Sequence, residues 1–95
     1  MNAARLLVIN AARQLDKEGG KGARGDIAIA KVAAPAAALR VLDAAIQAHG
    51  AEGVSQDTVL AQLWVHARTL RIADGPDEVH LLTIARMELL QASKL

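Results

Sequence analysis

Apolar residues recur along this chain at intervals of three and four, the spacing of one face of an α-helix. No stretch alternates with the period of two that marks a strand. The first helix is predicted from about Ala3 to Lys17, with Ala4, Leu7, Val8, Ala11, Ala12 and Leu15 forming one stripe, and it ends at Gly19-Gly20. The run from Gly19 to Gly25 then reads as a flexible interhelical loop. Asp26 is placed to cap a second helix, which carries Ile27, Ala30, Ala34, Ala38, Val41, Leu42, Ala45 and Ile46 on its expected buried side. Pro35 falls inside that pattern. It removes one backbone hydrogen bond and crowds the carbonyl of Lys31, which predicts a kink or local irregularity.

His49-Gly50 closes the second helix, and Gly50-Ala51-Glu52-Gly53 forms a turn. Asp57 is expected to cap a third helix, in which Val59, Leu60, Leu63, Trp64, Ala67 and Leu70 recur at helical spacing. Trp64 belongs to that apolar face and reads as core. The fourth helix is expected to start at Pro76, a favoured first-turn residue, with Asp77 and Glu78 complementing the helix dipole. Leu81, Leu82, Ile84, Ala85, Leu89 and Leu90 form its apolar side. The fold class that follows is all-α, an antiparallel bundle of four helices.

Composition adds a constraint on packing. Hydrophobic residues make up 53% of the 95 positions, but Trp64 is the single aromatic and alanine supplies much of the apolar count. Alanine helices approach closely, yet each alanine removes little area from water. Residues 1–95 read as one domain, and one this small and this apolar is expected to bury more surface against another copy or a further segment.

The formal net charge is +1, with both signs mixed along the chain. That gives no electrostatic footprint for nucleic acid or an anionic membrane. The arginines at 5, 13, 40, 68, 71 and 86 are spread over several helices, not clustered beside one as in a helix-turn-helix reader. With no cysteine, disulfide and thiolate chemistry are excluded. The apolar run from Val32 to Leu39 is too short to span a bilayer, and Met1-Asn2-Ala3 lacks the start of a signal peptide. A cytoplasmic protein is the expectation.

One short segment carries the candidate chemistry: Ala73-Asp74-Gly75-Pro76-Asp77-Glu78-Val79-His80, between the third and fourth helices. Asp74 stands beside a glycine at a helix entry. Its carboxylate is suited to accept N–H bonds from the next turn as a cap. Capping is the reading the local sequence favours; the alternative is a base, a role that requires partial desolvation to raise its pKa toward neutrality.

This segment resembles the acyl-CoA dehydrogenase family, whose last two helices are joined by a Glu-Gly-Thr turn carrying the base that removes the α-proton of an acyl thioester. Arg68 to His80 is similar to a subgroup with Asp-Gly-Pro-Asp-Glu-Val-His at that turn, and Thr83-Ile84-Ala85-Arg86 also matches. Upstream, Ile46 to Asp57 resembles the family's Gln-x-x-Gly-Gly-x-Gly turn, and Ile27 to Ala34 fits its long helix.

The resemblance implies that Asp74 stands at the position of the catalytic base. Its backbone N–H, with Gly75 beside it, stands where the thioester carbonyl is bound. Gln47, Gly50 and Ala51 fall in the turn that, in the family, contacts the FAD of a neighbouring subunit. Pro76, Asp77, Glu78 and Val79 fall where the family also touches the flavin. The family's C-terminal helices form dimer and tetramer contacts, so a homo-oligomer is expected.

Three positions depart from the family pattern. Asp74 replaces Glu and shortens the base by one methylene, a change of ~1 Å that can cost on the order of a hundredfold in rate. Ala51 replaces the second glycine of its turn, restricting close backbone approach to a pyrophosphate. Pro76 replaces a threonine and offers neither hydroxyl nor N–H. The family also has an N-terminal helical domain, a middle β-domain and a first C-terminal helix, for which this chain has no counterpart. It is therefore expected to be inactive in isolation, with Asp74 acting there as a cap, or to serve as a non-catalytic self-association module.

Other residues carry less. His49, His66 and His80 lack metal-ligand spacing and read as surface or helix-end histidines, so no metal site is expected. In the Gly19–Gly25 run, Gly-Lys is followed by Gly22, not by the Ser or Thr of a phosphate loop. Ser55 has no partners that would mark a nucleophile.

Overall fold

The computed structural model describes residues 2–94. Four α-helices and one 3₁₀ turn follow in order: α1 Asn2–Gly22, α2 Arg24–His49, the 3₁₀ turn Gly50–Val54, α3 Leu60–Thr69 and α4 Asp77–Ser93. No strand occurs among the described residues. The all-α reading holds, with α2 as the organising element. The helices α1, α3 and α4 each pack against α2 and not against one another.

Side-chain neighbours fix the directions. Asn10 of α1 meets Asp26 at the start of α2. Ile46 near the end of α2 meets Gly53, and Lys31 near its start meets Leu70. Met87, late in α4, meets Gly25 at the beginning of α2. All three partners therefore run antiparallel to α2. A helix of 26 residues, about 39 Å long, with helices laid along it gives an elongated body of 53 × 23 × 22 Å.

The expected glycine loop is absent. α1 continues to Gly22 with a kink at Gly19 (φ 75°), and Ala23 alone separates it from α2. Ala23 is fully buried; its N–H donates to the Gly19 carbonyl (3.1 Å) and its carbonyl accepts from Ile27 N–H (2.9 Å). A positive φ at Gly19 and a methyl-sized residue at 23 allow this reversal without a loop.

None of the aspartates expected to cap a helix does so. The cap position of α2 is Ala23, and Asp26 instead accepts a bond from Asn10 Nδ2 (3.2 Å), tying α1 to α2. The cap position of α3 is Val59, two residues beyond Asp57. There the hydroxyls serve: Ser55 Oγ accepts from Asp57 N–H (3.1 Å) and Thr58 Oγ1 from Leu60 N–H (3.4 Å). Pro76 occupies the cap position of α4, not its first turn, and no side chain caps that helix. The predicted irregularity at Pro35 is also absent: helical backbone runs through this buried residue.

The core is thin. Its buried apolar residues are alanines, at 11, 23, 28, 30, 37 and 67, together with Pro35 and Leu39. The stripe expected on α2 is therefore not its buried set; Ala30 is buried, whereas Ile27 and Val41 are exposed. Contact with three helices at once spreads burial around α2 and dissolves any single stripe. On α1 only Ala11 is buried, while Val8, Ala12 and Leu15 are exposed. Trp64 is half-buried, between α2 and α3 beside Leu39 and Arg68. No helix is long and apolar enough to cross a membrane.

Candidate functional site

The α3–α4 connection is an ordered turn built around two left-handed residues. Asp74 has φ 56° and Gly75 has φ 94°; Asp74 is the sole non-glycine residue with positive φ among those described. Aspartate tolerates this region better than most residues, but it is not its preferred conformation. Contacts from outside the turn hold it.

The principal contact comes from α2. Lys31 Nζ donates to the carbonyls of Leu70 (2.5 Å), Ala73 (3.0 Å) and Gly75 (3.4 Å), so its three donors meet three backbone acceptors. These carbonyls lie just past the end of α3, where a cation also complements the helix dipole. Lys31 is the one charged residue between Ile27 and Leu39. A single lysine in a long apolar run is a signal for an internal partner, and sequence reasoning passed over it.

A second clasp closes the turn on itself. Arg71 Nε donates to Asp77 Oδ2 at 2.6 Å, and Asp77 N–H donates to the Arg71 carbonyl at 3.0 Å. Asp77 is buried, and its second carboxylate oxygen, Oδ1, has no partner. His80 Nε2 lies 3.3 Å from the Asp74 carbonyl and directly beneath Gly75, where an added Cβ would stand 2.8 Å from it. The imidazole thus closes off the inner side of the turn.

The Asp74 carboxylate is exposed and makes no hydrogen bond, so it caps nothing. Its φ supplies the reason: the left-handed backbone departs from the extended conformation in which a cap residue reaches the following N–H groups. The backbone N–H groups of Asp74 and Gly75 have no partner among the described residues. The turn therefore presents a free carboxylate and two free donors side by side.

The expected site residues fall into two groups. Asp74, Gly75, Pro76, Asp77, Glu78 and Val79 are contiguous in the turn and the start of α4; Asp74, Glu78 and Val79 are exposed. Gln47, Gly50 and Ala51 are exposed at the other end of α2. Gln47 is sixteen residues beyond Lys31, or about 24 Å of helical rise. One chain does not bring the two groups together. Asp77 also differs from its neighbours, because its carboxylate is committed to Arg71 and closed to solvent. The histidines are separate: His49 Nδ1 is 2.8 Å from the Ala45 carbonyl, and His66 is exposed on α3.

A helical array with a strained acidic turn before its last helix matches known proteins. The model of the acyl-CoA dehydrogenase C-terminal domain matches residues 1–89, and the chain belongs to the acyl-CoA dehydrogenase family. It is 68% identical over its full length to the Arabidopsis thaliana protein named probable acyl-CoA dehydrogenase IBR3, of which it spans 12%. It is 55% identical over 96% of its length to acyl-CoA dehydrogenase family member 11 of Gallus gallus, again spanning 12% of the relative. A solved Mycobacterium abscessus structure assigned as an acyl-CoA dehydrogenase superposes with a TM-score of 0.92 at 53% identity, covering 96% of this chain and 22% of that one. The chain thus corresponds to a small C-terminal portion of much longer relatives. The family is generally FAD-dependent and acts on acyl-CoA.

Proposed function

We propose that residues 1–95 form a single helical domain that carries the catalytic base of an FAD-dependent acyl-CoA dehydrogenase, and that this domain is not catalytic alone. The observation that supports it is the Asp74 turn: a carboxylate free of intrachain bonds, fixed by Lys31 and by the Arg71–Asp77 pair, beside two unpartnered N–H groups. In the assembled enzyme the Asp74 carboxylate takes the α-proton of the acyl thioester. The N–H groups of Asp74 and Gly75 donate to the thioester oxygen and stabilise the negative charge that develops there. Bound FAD supplies the acceptor for the hydride that leaves the β-carbon. A cytoplasmic location goes with this reading.

Half-buried Pro76 and the exposed Glu78 and Val79 suit an edge of the flavin, and Gln47, Gly50 and Ala51 suit the cofactor of a neighbouring subunit. Their separation along α2 supports this division, because two copies are needed to bring both groups to one cofactor. The exposure of Asp74 supports inactivity in isolation: nothing in this chain desolvates it as a base requires.

The test is a chimera in which this sequence replaces the matching stretch of a full-length relative. FadE2 of Mycobacterium tuberculosis is suitable, at 54% identity over 89 residues. Substrate-dependent bleaching of the flavin is expected in the chimera and in Asp74→Glu, and is lost in Asp74→Asn. Bleaching that survives Asp74→Asn rejects Asp74 as the base. Bleaching by the 95-residue chain mixed with FAD and acyl-CoA rejects the claim of inactivity.

A second reading, a non-catalytic self-association module, is supported by α4. This helix packs only on α2 and leaves Val79, Leu81, Leu82, Leu89 and Leu90 exposed.

A further inference from the structure

We infer that Lys31 is the positioning residue of the base, holding Asp74 in its left-handed conformation from more than forty residues away. The inference rests on the reading of Asp74 as the base for its catalytic meaning, but its structural content stands separately.

A left-handed backbone at a residue other than glycine carries a conformational cost and persists only where its surroundings impose it. The Ala73 and Gly75 carbonyls lie on either side of the strained residue and that of Leu70 lies four residues before it, and one ammonium gathers all three. Drawn to one point, the Ala73 carbonyl fixes the peptide plane that precedes Asp74 and the Gly75 carbonyl the plane that follows Gly75. The two left-handed residues are thus bracketed, while the Asp74 carbonyl between them lies beside His80 Nε2. The planes in turn fix where its carboxylate and its N–H are presented. The other two constraints act differently. The Arg71–Asp77 pair closes the ends of the segment, and the His80 ring lies under Gly75. Among the described residues that bond to the turn, Lys31 is the one that comes from outside the α3–α4 segment, so it also fixes the turn to the body of the domain.

The side chain is well matched to this task. A half-buried ammonium on α2 requires acceptors, and no carboxylate lies within ion-pairing distance of it among the described residues. The turn carbonyls are its partners. They lie between α3 and α4 and accept no backbone N–H among the described residues, so each side satisfies the other.

The experiment is performed by nuclear magnetic resonance on the 95-residue chain without flavin or substrate. In the unaltered chain, scalar couplings across hydrogen bonds are expected from Lys31 Nζ to the carbonyl carbons of Leu70, Ala73 or Gly75. Their absence overturns the inference whatever the variants do. The coupling between the Ala73 carbonyl carbon and Asp74 Hα is large when φ is near +60°, and it is expected to be large here. In Lys31→Met that coupling is expected to collapse, and the Asp77 amide to exchange about tenfold faster. The helical circular dichroism should be retained. Lys31→Arg, which keeps donors and charge, is expected to restore the large coupling. A Lys31→Met chain that stays helical and keeps the coupling overturns the inference. No catalysis is read, so that failure leaves Asp74 as the base untouched. Conversely, turnover surviving Asp74→Asn in the chimera would leave the hold of Lys31 on the turn intact.

Discussion

Arg71 and Asp77 are bonded twice, once through side chains at 2.6 Å and once through the Asp77 N–H and the Arg71 carbonyl at 3.0 Å. The six-residue step between them encloses Asp74 and Gly75, and the pair is what closes that segment into a turn. The pair is also unequal, because the Arg71 side chain is 39% exposed and that of Asp77 only 11%. Losing either partner therefore has different consequences.

Arg71→Met leaves a nearly buried carboxylate with no partner on either oxygen, since Oδ1 is already unpaired. The expected loss is about 2 kcal/mol of stability. Asp77→Asn removes the charge itself and should cost about 1 kcal/mol. The double variant is expected to cost less than the two losses added together, as residues in direct contact do. Urea denaturation of the four proteins measures this. Strict additivity would mean that the two side chains do not act as a pair.

Asp74 separates capping from backbone strain. A capping aspartate replaced by alanine or by glycine loses its side-chain bond, with alanine the worse by several tenths of a kcal/mol or more. Here the carboxylate makes no bond and φ is 56°. Asp74→Gly is therefore expected to lie within about 0.5 kcal/mol of the parent, with the relief of strain offset by a more flexible unfolded chain. Asp74→Ala should cost about 1 kcal/mol from the left-handed backbone alone. The distinguishing result comes from Asp74→Asn, which keeps tolerance of this backbone and should retain full stability. A substantial loss in Asp74→Asn would restore a bonding role for the carboxylate.

The same contrast shows what the sequence conveyed. Helical spacing located all four helices because that periodicity reflects a property of each segment. It did not predict which face is buried on α2, since that helix is packed by α1, α3 and α4 and its buried residues Ala28, Ala37 and Leu39 lie outside the expected stripe. Asp26, Asp57 and Asp74 each had the local pattern of a cap; at Asp57 the neighbouring Ser55 and Thr58 hydroxyls accept the N–H bonds instead, and the other two were displaced by a nonlocal partner or by strain. Asp26 found Asn10 on another helix, and Asp74 was forced left-handed. The acidic turn was legible as a motif. Its support was not, because Lys31 is separated from Leu70 by 39 residues and from Gly75 by 44. The nearest hint was a lone charge in an apolar run.

Two glycines are tightly constrained by their surroundings. At Gly75, a methyl group would meet both an unfavourable φ of 94° and the His80 ring at 2.8 Å. Gly75→Ala is expected to destabilise by about 2 kcal/mol, and His80→Ala in the same chain should recover the steric share but not the backbone share. At Gly53, a methyl group would stand 2.6 Å from the Ile46 carbonyl oxygen, a backbone atom that cannot rotate away. Gly53→Ala should therefore cost as much or more, and no side-chain truncation should rescue it. Thermal melts of these variants check both claims. Rescue of Gly75→Ala to the parental melting temperature would show that strain at this residue is negligible.

The outward side of α4 gives the last prediction. Leu82 is 52% exposed, Leu89 70% and Leu90 58%, with Val79 close by on the same side of the helix. The inward side is occupied by Met87 against Gly25 and by His80 beneath the turn. An apolar surface of this extent is uncommon on a monomer, and pairing with an identical surface about a twofold axis covers it with one self-complementary contact. The 95-residue chain is therefore expected to scatter light as an oligomer. Leu82→Lys combined with Leu89→Lys should convert it to a monomer without loss of helical circular dichroism, because both side chains are more than half exposed. A monomeric parent would reject self-association through α4. An oligomer that survives both lysines would place the contact on another exposed apolar side, such as that of α1 with Leu6, Val8 and Ile9 or that of α3 with Leu63 and Val65.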